Sequence, residues 1–306
     1  MIHLGLIGYP LSHSLSPIIH AAALQSCGLQ GDYSIFPNAP HDMDALNSLL
    51  ARVRMKEIQG LNVTIPHKQT VIQFLDELTP TAKSIGAVNT IYFHDNKLIG
   101  DNTDAPGFLW DVKKFLTTET PHVQLKTLKE TCGESRSHGE FNVLVLGAGG
   151  SARAIVYALL TDSWDVTIAA RRIEQANNLA KQFEKVKVIE YSVPTFKLTN
   201  VQLIINTTPV GMAPNTDESP WPQNLRFPSH TAIYDLIYNP RETKLVRDAR
   251  LQGLQATTGL GMLIEQAALS FEIWTGHNPS REMMRACVDQ SPMPNYQSLI
   301  TDHGAV

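Results

Sequence analysis

The chain has 306 residues, 43% of them hydrophobic and 18% charged, an ordinary globular balance with material for a core in each of two domains. A formal net charge of −4 gives no basic surface for nucleic acid or an anionic membrane, and no apolar run approaches the roughly 18 residues that a membrane helix needs. The three cysteines, Cys27, Cys132 and Cys287, are far apart and form no CxxC, which argues against a disulfide framework or zinc site and fits a reducing, cytoplasmic compartment.

The opening MIHLGLIGYP lacks the basic flank and cleavage site of a signal peptide and reads as a strand over 3–8. A helix follows, with Ser16 expected to cap it, Pro17 at its first position and Gly28 ending it. A strand over 32–37, a helix over 42–54 and a strand over 57–65 come next, then Pro66 and a short helix. Residues 89–95 and 97–104 read as a hairpin around Asn96. Strands separated by helices imply a mostly parallel sheet, to which the hairpin adds an antiparallel piece. Residues 117–140 are polar and aperiodic and read as a loose connection.

A second alternating series starts at Phe141. Its expected strands are 141–147, 165–170, 185–191, 201–208 and 231–238. Its expected helices begin at 149, 172 and 242, and a further apolar helix follows Gly261. This is the element order of a dinucleotide-binding fold, so the expected class is α/β with two domains.

VLVLGAGGSARA places G-x-G-x-x-A at Gly147, Gly149 and Ala152, directly after a strand and opening a helix. Gly147 permits the tight turn, Gly149 lets backbone approach pyrophosphate, and Ala152 keeps the helix close to the sheet. The free N–H groups of the helix N-terminus suit the phosphates. An NAD site normally carries Asp or Glu at the end of the next strand. Here Ala169 and Ala170 are followed by Arg171 and Arg172, which would bind a 2′-phosphate through charge-assisted bonds, so NADP is favoured. Which arginine does so stays open.

Three first-domain segments, GYPLSHSLSP, GLNVTIPHK and AVNT…GDNTD, put small polar side chains at or just beyond strand ends, where ligands of open α/β sheets bind. Their hydroxyls and amides suit a polyhydroxylated ligand. Lys68 sits in a helical first turn, where a cation is mildly unfavourable. Function could explain that cost, since carbonyl reduction needs a proton donor and an ammonium held by a carboxylate can supply it. Asp104 is the natural partner. On spacing alone Lys68 could be a surface lysine and Asp104 a helix cap before Ala105-Pro106. No residues have metal-ligand spacing, so no metal site is expected. His13 and His67 are expected to orient a loop and a helix start, His20 to be structural, and Met283-Met284 to pack in a terminal helix.

The motifs GYPLSHSLSP, GLNVTIPHK, IGAVNT, GDNTD, GAGGSARA, NTTPVGM, IYNPRETKL and GLGMLIEQAA occur in the order seen in the shikimate dehydrogenase family, which the chain resembles over residues 8 to 268. The resemblance implies an N-terminal open α/β substrate domain, 1–104 plus 263–306, and a C-terminal NADP-binding Rossmann domain, 105–262. It implies that Lys68 and Asp104 are the catalytic pair and that Ser14 and Ser16 bind the substrate carboxylate. Thr64, Asn89 and Gln266 would bind ring hydroxyls or the carboxylate, Tyr238 would lie near the carboxylate, and Asn62 would line the pocket. On the cofactor side, Gly147, Ala148, Gly149, Gly150, Ser151 and Ala152 would hold pyrophosphate. Thr207, Pro209, Val210, Gly211, Gly259 and Met262 would lie near the adenosine or nicotinamide ends.

The implied activity is reversible NADPH-dependent reduction of 3-dehydroshikimate to shikimate, on the way to chorismate and the aromatic amino acids, in a monomer or homodimer. A quinate/shikimate dehydrogenase of broader specificity and a non-catalytic ligand sensor are the alternatives; a sensor needs no Lys68–Asp104 pair. Two features depart from the family: Ala170-Arg171-Arg172 stands where Asn-Arg-Thr is frequent, and the 117–140 connection is longer.

Overall fold

The computed structural model describes residues 1–12, 14–117, 141–183, 185–191 and 200–291. His13, Cys132 and nearly all of the polar 117–140 connection lie outside the described residues. The chain forms two compact units, Met1–Gly107 with Leu263–Val306, and Phe108–Met262.

The first unit is built on strands β1 (Ile2–Gly8), β2 (Gly31–Pro37), β3 (Gly60–Val63), β4 (Glu77–Leu78), β5 (Thr90–His94) and β6 (Lys97–Asp101). They form one sheet in the order β2-β1-β3-β5-β6-β4. β2 and β3 flank β1 in parallel, and β5 is antiparallel to β3 and β6. The hairpin expected around Asn96 is present, because Asp95 and Asn96 both accept the left-handed conformation its turn needs (φ 48° and 60°). β4 has no counterpart among the expected elements; two residues carry no periodic signal.

Helices α1 (Ser16–Ser26), α2 (Met43–Arg54), α3 (His67–Thr70) and α4 (Pro80–Ile85) connect these strands, with a 3-10 turn over Val71–Phe74. The expected Ser16 cap is corrected: Leu15 occupies the cap position without a side-chain bond, and Ser16 is the first helical residue. Pro17 shifts to the second position, and Gly28 follows the helix end with φ 64°. In α2, Asp42 accepts from Ala45 N at 3.0 Å. The α2 residues Leu46, Leu50 and Val53 form a core with Leu61 and Val63 of β3, Ile91 and Leu98.

The second unit contains β7 (Asn142–Leu146), β8 (Asp165–Ala170), β9 (Lys187–Glu190), β10 (Leu203–Asn206), β11 (Ala232–Asp235) and β12 (Ala256–Thr258). All are parallel, in the order β12-β11-β10-β7-β8-β9. Helices α6 (Gly150–Thr161), α7 (Ile173–Ala180) and α8 (Lys244–Leu251) lie between them in sequence. This is the doubly wound dinucleotide-binding order, with its switch point between β7 and β10. β12 also has no expected counterpart, because its three residues lie between two stronger helical patterns.

Two helices run from one unit into the other, α5 (Asp104–Thr117) and α9 (Leu260–Thr275); α10 (Arg281–Gln290) closes the described chain. Within the first unit, α9 packs closely on the sheet. A side chain at Gly60 would meet the Trp274 ring at 2.3 Å, and Trp274 Nε1 donates to Ile91 O at 3.1 Å. In α10, Met284 is buried while Met283 is 38% exposed, so only one of the pair packs.

Candidate active site

α3 presents Lys68, and three contacts fix the turn that carries it. His67 is buried with Nε2 2.7 Å from Asn38 O, its N–H donates to Thr64 O at 2.9 Å, and Lys68 O accepts from Val88 N at 2.7 Å. His67 therefore anchors a helix start. Lys68 Nζ donates to Asp104 Oδ2 at 2.7 Å, with the two side chains 15% and 9% exposed. The pair is drawn largely out of water yet keeps an open side. Asp104 is the first residue of α5, where a carboxylate is favoured by the helix N-terminus.

Asp104 does not serve as the helix cap. Asn102 Oδ1 accepts from Asp104 N at 3.1 Å and from Ala105 N at 3.3 Å, and Asn102 Nδ2 donates to Ala87 O at 3.0 Å. Both Asp104 oxygens are thereby left for side chains. Oδ2 takes Lys68, and Oδ1 accepts from Asn89 Nδ2 at 3.0 Å.

Asn89 is the hub of a buried polar layer. Its Nδ2 also lies 2.9 Å from Thr103 Oγ1 and 3.2 Å from Gln266 Oε1, while its Oδ1 accepts from Thr103 N at 2.8 Å. Gln266 Nε2 donates to Leu263 O at 2.8 Å. Asn62 Nδ2 donates to Asn89 O at 3.2 Å and to Ser270 Oγ at 3.0 Å. Ser270 also lies within bonding distance of Thr90 and Thr103. Ser14 Oγ accepts from Ser16 N at 3.2 Å, and Thr64 N donates to Ile7 O at 2.9 Å at the end of β3.

The fold thus brings Lys68, Asp104, Asn89 and Gln266 into one bonded set, with Asn62 attached through Asn89. Tyr238 belongs to the second unit, where burial pushes its phenol above the ordinary range. Asn102, Thr103, Ser270 and Tyr33, whose hydroxyl donates to Asn62 Oδ1 at 2.8 Å, do not stand out in the sequence. Ser270 carries a usable signal there, four residues after Gln266 and hence on the same helical face. Asn102 lies inside the motif GDNTD, but its capping role depends on where α5 starts.

In the second unit Gly147 has φ 105°, and a Cβ there would meet Thr207 Oγ1 and Thr208 Cγ2 at 2.8 Å. Only glycine suits that turn. Added Cβ atoms at Gly149 and Gly150 would meet nothing within 4 Å, so the loop opens onto free space at the N-terminus of α6. No side chain caps that terminus, while Ala152 is buried on the sheet side. This leaves the N–H groups at the start of α6 without a side-chain cap, beside open space. Arg171 and Arg172 are exposed just beyond β8, and Arg171 acts electrostatically on Tyr191 after β9.

A second loop is stitched to the same sheet end. Thr207 N and Oγ1 donate to Leu146 O at 2.9 and 2.7 Å. Asn206 Oδ1 accepts from Thr208 N and Oγ1, and Asn206 Nδ2 donates to Asp235 Oδ1 at 2.9 Å. Asp235 also accepts from Ile237 N at 3.1 Å and Thr243 Oγ1 at 2.7 Å. It is fully buried, and desolvation outweighs these bonds and pushes its carboxyl up to about 6. Gly211 takes φ 95°, Gly259 lies against Leu236 O, and Met262 is buried. Among the described residues no group of three His, Cys, Asp or Glu side chains could hold a metal ion, and no helix is long and apolar enough to cross a membrane.

A doubly wound unit with an open phosphate turn, joined to an α/β unit that buries a lysine–aspartate pair among amides and hydroxyls, defines the class of nicotinamide-dinucleotide-dependent oxidoreductases. Three family models match: the shikimate dehydrogenase substrate binding domain over 6–91, shikimate/quinate 5-dehydrogenase over 130–213, and the shikimate 5′-dehydrogenase C-terminal domain over 259–286. The chain belongs to the shikimate dehydrogenase family.

The shikimate dehydrogenase (NADP(+)) of Bacillus subtilis is 36% identical over 288 residues, 93% of this chain and 95% of the relative. The shikimate 5-dehydrogenase of Thermus thermophilus, solved with NADP(H) and shikimate, superposes with a TM-score of 0.79 at 36% identity, covering 94% of this chain and 99% of that one. The quinate dehydrogenase of Corynebacterium glutamicum, solved with NAD, gives a TM-score of 0.80 at 27% identity, covering 95% and 99%.

Proposed function

We propose that this chain catalyses the reversible reduction of 3-dehydroshikimate to shikimate with NADPH. The observation that carries the reading is the 2.7 Å Lys68–Asp104 pair, set in a layer of amides and hydroxyls within a chain of this family.

The second unit fits NADP. The open turn at Gly149 and Gly150 and the uncapped start of α6 suit pyrophosphate, with Ala148 and Ser151 completing that loop. The end of β8 offers two guanidiniums and no carboxylate, the charge pattern for a 2′-phosphate. Thr207, Pro209, Val210, Gly211, Gly259 and Met262 form the remaining candidate cofactor contacts. Bound NADPH supplies the hydride that reduces the ring carbonyl carbon.

Lys68, as an ammonium, donates a hydrogen bond to the ketone oxygen and passes it a proton as negative charge develops there. In the reverse direction its neutral amine takes the hydroxyl proton. Asp104 keeps the ammonium in place, and Asn89 fixes the carboxylate from its other side. Ser14 and Ser16 are assigned to the substrate carboxylate, Thr64, Asn89 and Gln266 to ring hydroxyls or the carboxylate, and Tyr238 to the vicinity of the carboxylate. The two small molecules are its partners, the cytoplasm its location, and a monomer or homodimer its state.

The test is initial-rate cofactor reduction with shikimate or quinate, each with NADP or NAD. Rates highest with shikimate and NADP support the assignment. A preference for quinate or NAD moves the chain to the broader branch of the family. Ligand binding without turnover of any pair overturns the enzymatic reading.

A further inference from the structure

We infer that Asp235, outside every motif of the cofactor site, is a positioning residue that holds the loops beneath the nicotinamide end of bound NADP, a role that rests on the proposed function, in which NADP binds the second unit.

The phosphate turn follows β7 and the two arginines follow β8, so the adenosine half of the dinucleotide is held on that side of the switch point. The nicotinamide half then falls to the loops after β10, β11 and β12, the strands of the other half of the sheet. Asn206 and Asp235 are the last residues of β10 and β11 and face each other in register. The two strands are parallel, so both loops leave from the same end of the sheet.

The Asn206 amide bridges the carboxylate to the first of these loops, and its orientation is fixed. Thr208 N can only donate, and it does so to Asn206 Oδ1 at 2.9 Å, joined by Thr208 Oγ1 at 2.7 Å. Nδ2 therefore turns toward β11 and donates to Asp235 Oδ1 at 2.9 Å, where a carboxylate can only accept. Thr208 Oγ1 in turn accepts from Val210 N at 3.3 Å. A chain of bonds thus runs from Asp235 through Asn206 and Thr208 to Val210.

The same carboxylate holds two further segments. Its Oδ1 also accepts from Ile237 N at 3.1 Å, and Ile237 O accepts from Gly259 N at 3.2 Å, which ties the loop after β11 to the one after β12. Its Oδ2 accepts from Thr243 Oγ1 at 2.7 Å, and that hydroxyl caps α8 by accepting from Val246 N at 3.3 Å. Asp235 and Asn206 are both fully buried, so water does not replace a partner that is removed. Asp235 acts through these loops rather than on the cofactor itself. Hydride transfer is sensitive to such support, since a displacement of about 1 Å can cost about 100-fold in rate.

The experiment compares wild type, Asp235→Ala, Asp235→Asn and Asn206→Ala in single-turnover reduction of 3-dehydroshikimate by NADPH, followed by stopped flow, with steady-state constants and thermal melts alongside. The hydride-transfer rate is expected to fall about 10- to 100-fold in Asp235→Ala. The NADPH KM should stay within about threefold of wild type, because the phosphates are held on the other side of the switch point. Asp235→Asn keeps an oxygen for Asn206 and Ile237 N and should retain most of the rate. Asn206→Ala cuts the bridge with Asp235 in place and should slow transfer as Asp235→Ala does.

An Asp235→Ala enzyme that melts at a lower temperature yet transfers hydride at the wild-type rate overturns the inference, since Asp235 would then serve stability alone. Asp235→Asn as slow as Asp235→Ala overturns it too, because the charge rather than the bonds would then matter. Should Asp235→Ala fail to fold, Asn206→Ala decides: slowed transfer with the NADPH KM kept upholds the role, and a wild-type rate removes it. A wild-type chain that binds NADPH without reducing 3-dehydroshikimate defeats the proposed function, and this inference with it.

Discussion

Asn102 takes the helix cap that Asp104, two residues later, would otherwise be suited to fill. Its side-chain oxygen accepts from Asp104 N and Ala105 N, so the Asp104 carboxylate turns away from its own helix and holds Lys68 Nζ at 2.7 Å. The capping residue therefore helps to form the charge pair.

Asn102→Ala is expected to cost about 1 kcal/mol of stability, the usual worth of a cap. It also lets Asp104 compete for the exposed helix N–H groups, so kcat should fall with Lys68 still present. Asn102→Ser restores the cap acceptor and should recover most of both. Thermal melts and kcat for the two variants decide the matter; a lower melting temperature with unaltered kcat would confine Asn102 to stability.

Lys68→Ala removes the proton donor and leaves Asp104 facing Asn89 alone. A general acid is worth about 10²–10⁴ in rate, so kcat should drop within that range. Shikimate binding, measured by calorimetry, should weaken far less. Equal losses in kcat and binding would assign Lys68 to affinity.

Arg171→Ala and Arg172→Ala separate the two guanidiniums beyond β8. Losing a charge-assisted bond of about 1.5–3 kcal/mol should raise the NADP KM by about 10- to 100-fold in whichever variant contacts the 2′-phosphate. The NAD KM should stay the same, because NAD lacks that phosphate. A matching rise for both cofactors would point to the adenine or the loop.

Acid should move the two units in opposite directions. Burial lowers His20 to about 3, against 6.5 for the free ring, so its contribution is present above pH 6.5 and is lost as pH falls. By pH 5 that loss is about 2 kcal/mol in the first unit. Asp235 is raised from 3.8 to about 6, so its contribution is present below pH 3.8 and is lost as pH rises through 6, by about 3 kcal/mol. Calorimetry of Asp235→Asn between pH 4 and 7 should show the second unit losing its pH dependence. Asparagine preserves the acceptor for Asn206, and its amide can donate to Thr243 once that hydroxyl turns. His20→Gln should likewise flatten the response of the first unit between pH 5 and 6.5. An unchanged pH dependence in either variant would exclude that group as its source.

Elements with strong local signals were legible. The strand–turn–helix at 142–161 needs a glycine at Gly147 for its φ of 105°, and the Asp95-Asn96 turn needs residues that tolerate positive φ. Very short elements were not, since β4 and β12 owe their existence to neighbouring strands that offer hydrogen bonds. The Ser16 cap expected from residue type fails because the turn closes one residue earlier, at Leu15, a choice made by the preceding loop.

By itself the sequence determined the α/β class, the two alternating series, the phosphate turn and the lack of an acid after β8. These are local properties, written in periodicity, glycine positions and charge. Only the tertiary structure decided which polar groups meet. Lys68 and Asp104 are 36 residues apart, and Asn89 and Gln266 are 177 apart. Their contacts come from the ends of β3 and β6 and the start of antiparallel β5 meeting at one end of the sheet, and from α9 packing on that sheet. Tyr33 shows the limit most plainly. It lies in an ordinary edge strand, and only strand order and register bring its hydroxyl to Asn62 Oδ1 on β3. Sequence spacing carries no information about such pairings, because hydrogen bonds depend on distance in space, and the sheet sets that distance.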